Sequence, residues 1–129
     1  MSVDIKGTNN STLTIGQPEK DYIVIELRTS SGRMKVRSFL HSDASTLAKY
    51  FSSLVISPDI WSGTKDWQSV EGDVIFKASN DGLGHTTIQT MLIASTGEDD
   101  CSKFESNIIV DFTTLQNASR LLSNLFKLP

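Results

Sequence analysis

Thiol chemistry is almost absent from this chain. A single cysteine, Cys101, leaves no partner for an internal disulfide. Long apolar runs are missing too, falling far below the ~20 residues needed to span a bilayer. Residues 1–10 are polar and carry no apolar core of a signal peptide. These absences lead us to expect a protein of the reducing cytoplasm, with no membrane partner. A basic excess is also lacking: 12 Lys and Arg stand against 15 Asp and Glu, for a net charge of −3. Affinity for nucleic acid comes mainly from cations on phosphates. The balance therefore argues against a nucleic-acid partner and suits a basic one.

Recognisable catalytic patterns are scarce. No G-x-S-x-G nucleophile elbow occurs. Cys101 follows Asp99 and Asp100, whose negative charges disfavour a thiolate, and it reads as a strand-edge cysteine. The only histidines are His41 and His85. Paired over a phosphate, with Lys77 to stabilise charge, they would make a small RNase-like centre. In the plainer reading His41 supports a turn and His85 points from the start of a strand. One Cys and two distant His do not make a recognised zinc spacing. Asp99 and Asp100 lack the D-x-[DN]-x-[DN]-G frame of a calcium loop. Gly82-Leu83-Gly84 precedes a strand pattern, so it offers no helix N-terminus to a phosphate. The expectation is no metal site, no cofactor, and a binding protein rather than an enzyme. A self-associating adaptor is the third reading.

What is present is an ordinary folding composition. Hydrophobic residues make up 38% and charged residues 21% of the 129 positions, which excludes a disordered tail and fits one domain over 1–129. A chain of this size buries roughly two thirds of its unfolded surface, enough for one core without disulfides.

Hydropathy patterning then places the elements. Val3 and Ile5 alternate with polar residues, residues 7–10 read as a turn, and Leu13 and Ile15 resume the alternation until Gly16-Gln17-Pro18. Ile23, Ile25 and Leu27 mark a strand over 21–29. Ser30-Ser31-Gly32 turns the chain, and Met34, Val36 and Leu40 share one face of the return, with Lys35 and Arg37 on the other. The period then becomes helical at Ala44, Leu47, Ala48, Phe51, Leu54 and Val55, with Ser42 or Asp43 as cap and Pro58 as stop. A loop is expected over 57–66 and a strand over about 69–79. Asn80-Asp81-Gly82 is the strongest hairpin signal, and 84–94 returns. After an acidic turn at Gly97-Glu98-Asp99-Asp100, Phe104, Ile108, Val110 and Phe112 line a further strand. Thr113, with Gln116 completing a capping box, opens a helix whose stripe is Leu115, Ala118, Leu121, Leu122, Leu125 and Phe126.

The predicted order is ββββ-α-βββ-α. The expected α+β fold is a twisted antiparallel sheet of about six to seven strands with two amphipathic helices packed on one face. The opposite face, with Lys35, Arg37, Lys77 and Gln89, is left to solvent or to binding.

Two features point outward. Asp59, Asp66, Glu71, Asp73, Asp81, Glu98, Asp99 and Asp100 all fall in loops, turns or strand ends, where Lys65 and Lys77 are the only nearby cations. Such carboxylates either solvate turns or steer a basic partner. Trp61 and Trp67 sit in or beside the longest loop, and each is a candidate interface anchor or core plug.

Residues 61–72 spell W-x-G-x-x-x-W-x-S-x-E-G, and 81–85 spell D-G-x-G-H. From about residue 44 to the C-terminal helix the chain resembles small bacterial immunity proteins of polymorphic toxin and contact-dependent growth-inhibition systems. The resemblance implies a cognate toxin C-terminal domain as protein partner. Many such toxins are basic nucleases, neutralised when an acidic surface blocks the active site. It implies a monomer or a 1:1 complex, and no catalytic residue is carried over. Trp61, Gly63, Trp67, Glu71, Gly72, Gly82, Gly84 and His85 are read first as structural, with Asp59, Trp61, Asp66, Glu71, Asp73, Asp81, Glu98, Asp99 and Asp100 as the candidate partner-binding set.

Overall fold

The computed structural model describes residues 2–39, 45–55, 63–95 and 101–126, with Ser95 and Cys101 described through their backbone. The expected caps at Ser42 and Asp43, the stop at Pro58 and the acidic turn at 97–100 lie outside the described residues.

Four strands form the first sheet in sequence order: β1 (Ser2–Lys6), β2 (Thr12–Gly16), β3 (Tyr22–Thr29) and β4 (Gly32–Phe39). Each pairs antiparallel with the next. Strict alternation decides which face is buried. Val3, Ile15, Ile25 and Val36 form one cross-strand row, and Ile5, Leu13, Leu27 and Met34 the next. All but Met34 are buried, and Met34 packs against the same core. The opposite face is charged, with Asp4, Glu26 and Lys35 in one row and Lys6, Arg28 and Arg33 in another.

After α1 (Ser45–Val55), a second four-stranded sheet follows: β5 (Lys65–Gln68), β6 (Val74–Asn80), β7 (His85–Ser95) and β8 (Cys101–Asp111). α2 (Phe112–Leu125) continues directly from β8. The inner face of this sheet is less aliphatic. Phe76 stacks on Trp67 at 5.5 Å and on Tyr50 of α1 at 6.1 Å between ring centroids, and meets Phe51 edge-on at 5.8 Å. Such offset aromatic contacts add to the area they bury.

The two sheets cross. Gly32, at the start of β4, lies beside the Phe104 ring. Near the other end of β4, the Ser38 hydroxyl donates to Asp73 Oδ1 at 2.7 Å. Phe104, Leu92 and Val74 form one cross-strand row of the second sheet. β4 therefore runs along a row, across the second sheet's strands, as in orthogonally packed sheets. The β1–β2 turn reaches the outer edge of β8. There the Thr8 N–H donates to the Ile109 carbonyl at 2.7 Å, and the Asn9 amide donates to the Asn107 carbonyl at 2.8 Å. These bonds occupy edge groups that would otherwise template another strand. The helices pack on each other, α2 also on β1 and β8 and α1 on β5, around one core that draws on every element.

Four expectations change. The single sheet of about six to seven strands becomes two sheets of four, so the outward Lys35 and Arg37 lie on the first and Lys77 and Gln89 on the second. The strand placed at 69–79 begins only with β6 at Val74, β5 begins within the stretch expected as loop over 57–66, and residues 69–73 are a turn. Gly72 takes φ +73 there, a conformation that costs glycine little. The cap of α2 is Asp111, which accepts the Thr114 N–H at 2.7 Å, so Phe112 and Thr113 are already helical. In the apolar stripes, Tyr50 and Ser119 are buried where neither was expected, and Leu121 is 43% exposed.

Candidate functional site

The β5–β6 turn is held by a dense set of hydrogen bonds. The Ser69 N–H donates to the Val74 carbonyl at 2.9 Å, and the Gly72 N–H returns to the Ser69 carbonyl at 3.0 Å. The Ser69 hydroxyl accepts the Val74 N–H at 3.0 Å and donates to Asp73 Oδ1 at 2.6 Å. The same carboxylate oxygen holds Ser38 of the first sheet, a fully buried side chain. Asp73 thus links the turn to the first sheet. Beneath β5, Trp67 donates its indole N–H to the Thr46 hydroxyl at 3.3 Å while its ring packs on Phe76. The Tyr50 hydroxyl donates to the Lys65 carbonyl at 2.9 Å, and the Lys65 ammonium donates to the Ser53 carbonyl at 2.7 Å. Burial, aided by the negative charge of Asp66, holds the Tyr50 phenol above its ordinary range, so it remains a neutral donor.

On this support the side chains at the tip are free. Val70 is 62% exposed and Glu71 is exposed beside it. Asp66 lies on the outer face of β5, opposite Lys77. Neither Asp66 nor Glu71 makes a hydrogen bond or ion pair among the described residues. Within the S-x-E-G motif, then, Ser69 and Gly72 build the turn and Glu71 is presented by it.

The remaining carboxylates have other surroundings. Asp81 closes the β6–β7 turn, accepting the Leu83 N–H at 2.7 Å and the His85 N–H at 3.1 Å. Those N–H bonds, chiefly that of Leu83, hold its carboxyl below the usual range. His85 Nδ1 lies 3.5 Å from Asp81 Oδ2, and His85 stands opposite Asp111 in the β7–β8 register. The Asp111 carboxyl is likewise lowered, first by the Thr114 N–H and then by the Thr114 hydroxyl. β6 separates Asp73 from Asp81, by about 26 Å at roughly 3.3 Å per residue. Glu71 and Asp73 therefore lie at one end of β6 and Asp81 at the other, with Asp66 opposite Lys77 midway between them. Asp59, Trp61, Glu98, Asp99, Asp100 and His41 lie outside the described residues, and the pairing of His41 with His85 and Lys77 is not placed. No three His, Cys, Asp or Glu side chains converge as a metal site among the described residues.

Two surface residues escaped the sequence reading. Val70 and Leu83, the latter 82% exposed at the tip of the β6–β7 turn, are apolar side chains held in solvent. Their only signal in the sequence is their place at the unspecified position of each motif, between residues that build the turn.

By class the chain is an α+β domain of two crossed antiparallel sheets and two helices. Residues 8–127 match the family of unknown function DUF6228, and the chain belongs to that family. A search of curated proteins gives no match. No helix among the described residues is long and apolar enough to cross a membrane.

Proposed function

We propose that this chain is a non-catalytic binding protein of the bacterial cytoplasm that neutralises a basic toxin domain, in a 1:1 complex, through the β5 edge and its turn. The pinned β5–β6 turn supports this reading. A pinned turn offering an apolar side chain beside carboxylates that pair with nothing among the described residues loses little freedom on docking, which favours affinity. Carboxylates at Asp66 and Glu71 would stand in for phosphates toward the cationic cleft of a nuclease and hasten encounter. Val70 would fill an apolar pocket at the centre of the contact. An interface of ordinary size buries about 1,600 Å² in total, more than the turn alone provides, so neighbouring outer-face residues of the second sheet would complete it.

Co-expression with the adjacent reading frame tests the proposal. The expected result is a stable complex and protection of the host from that frame's toxicity. Reversing both charges, Asp66→Lys with Glu71→Lys, should weaken the complex by at least about tenfold, roughly the effect of losing one buried charge contact. A neighbouring product with no toxicity, or a complex indifferent to both substitutions, would sink the idea.

A further inference from the structure

We propose that the edge of β4 turned away from β3, over residues 33–37, is a second binding site, which takes an acidic, extended segment of a partner protein by strand addition. β4 pairs with β3 on one side, and among the described residues no strand pairs with its other side. In an antiparallel edge strand, alternate residues turn their N–H and C=O groups away from the only neighbour. Those groups are a template for an incoming strand.

The side chains select what that strand carries. Arg33, Lys35 and Arg37 alternate along the outer face of β4 and are all exposed. None of the three forms an ion pair among the described residues. Arg33 stands directly opposite Arg28 on β3, a like-charge pairing that disfavours the bare sheet. Glu26, opposite Lys35, is drawn instead to Arg28 at 3.6 Å. An open concavity at the hairpin tip is lined by residues 28–33. Another, of about 220 Å³, lies on the β2–β3 side of Arg37 and is lined also by Glu19, and there the Arg37 guanidinium sits 4.0 Å over the Tyr22 ring.

Side chains of an added strand recur on one face every second residue. A segment with carboxylates at alternate positions would set one against each of Arg33, Lys35 and Arg37, and the one opposite Arg33 would also offset its repulsion by Arg28. This site is opposite in sign to the β5 turn and does not depend on the toxin reading.

Two peptides of identical composition, measured on the unaltered protein, test the proposal. One alternates Glu and Thr over eight residues; the other groups all its Glu at one end. The alternating peptide should bind saturably by fluorescence anisotropy, weaken with added salt, and shift the backbone amide resonances of residues 33–37. The grouped peptide should bind at least about tenfold more weakly, since only one or two of its carboxylates meet the row. Lys35→Glu alone, and Arg33→Glu with Lys35→Glu, should each reduce the alternating peptide's affinity while leaving the far-ultraviolet spectrum unchanged. Equal affinity for the two peptides, resonance shifts confined to other strands, or tighter binding of a single-stranded oligonucleotide of equal charge would each overturn the proposal. So would no binding of either peptide, which would leave the cations as guards against unwanted edge pairing.

Discussion

The two sheets solve one problem with different side chains. The first buries an almost purely aliphatic face, supplied by hairpin neighbours close in sequence. The second buries an aromatic hub on Phe76 that stays incomplete until α1 contributes Tyr50 and Phe51. Their charge differs as well. Residues 2–39 carry six cations, Lys6, Lys20, Arg28, Arg33, Lys35 and Arg37, against four carboxylates, Asp4, Glu19, Asp21 and Glu26. The described residues 63–111 reverse this, with Lys65, Lys77 and Lys103 against Asp66, Glu71, Asp73, Asp81, Glu105 and Asp111. A near-neutral total thus conceals two surfaces of opposite sign, and net charge alone is a poor guide to the partner of such a chain.

The hub offers the sharpest way to break the comparison. Phe76→Ala should cost about 3–5 kcal/mol, because it removes the ring that three others contact. Urea denaturation beside Ile25→Ala in the first sheet measures the contrast. If the aliphatic variant loses more, the hub is not the keystone of the second sheet.

The joints between the sheets come next. Asp73→Ala should cost about 1.5–3 kcal/mol, since one carboxylate oxygen serves hydroxyls from both sheets. Ser38→Ala in the same denaturation series should cost less, because Asp73 keeps Ser69. At the other joint, a Cβ on Gly7 would lie 2.7 Å from Asn9 Oδ1, 2.8 Å from Ile108 Cγ2 and 3.1 Å from the Ile109 carbonyl. Gly7→Ala should therefore cost about 1–3 kcal/mol by overpacking. Faster hydrogen exchange at Thr8 would locate the damage at the β8 edge, and unchanged exchange there would place the strain elsewhere.

Smaller effects test the ends of the second sheet. Asp111→Ala should cost roughly 0.5–2 kcal/mol through loss of the α2 cap, read as a lower Tm. The lowered carboxyls of Asp81 and Asp111 set the sign of the acid response. Their stabilisation is present above the ordinary carboxylate pKa and lost as pH falls through it toward the folded value, because the unfolded chain then binds more protons. Melting temperature should fall in that range, and Asp81→Asn should flatten the decline slightly. A steeper decline in the variant would contradict the assignment.

Hydropathy alternation and helical periodicity were enough to place most of the strands, both helices and the two tight hairpins at Ser30-Ser31 and Asn80–Gly84. Such patterns are local, and they state which residues turn inward. They do not state which inward face meets which. Ser69-Val70-Glu71-Gly72 reads as strand from its local pattern, and Asp73, bonded to Ser38 35 positions earlier, holds it bent as a turn. Thr113 reads as the better cap until β8 delivers Asp111 to the helix start. The chemistry of the site residues was legible, whereas their spread along β6, with Glu71 and Asp73 at one end, Asp81 at the other and Asp66 between, was not. Composition and order determined the elements, their buried faces and the supply of free charge. Only the tertiary structure divided the strands into two crossed sheets and sent the charges to different surfaces, because those outcomes depend on contacts up to about a hundred residues apart, where loop-closure entropy rather than local preference decides.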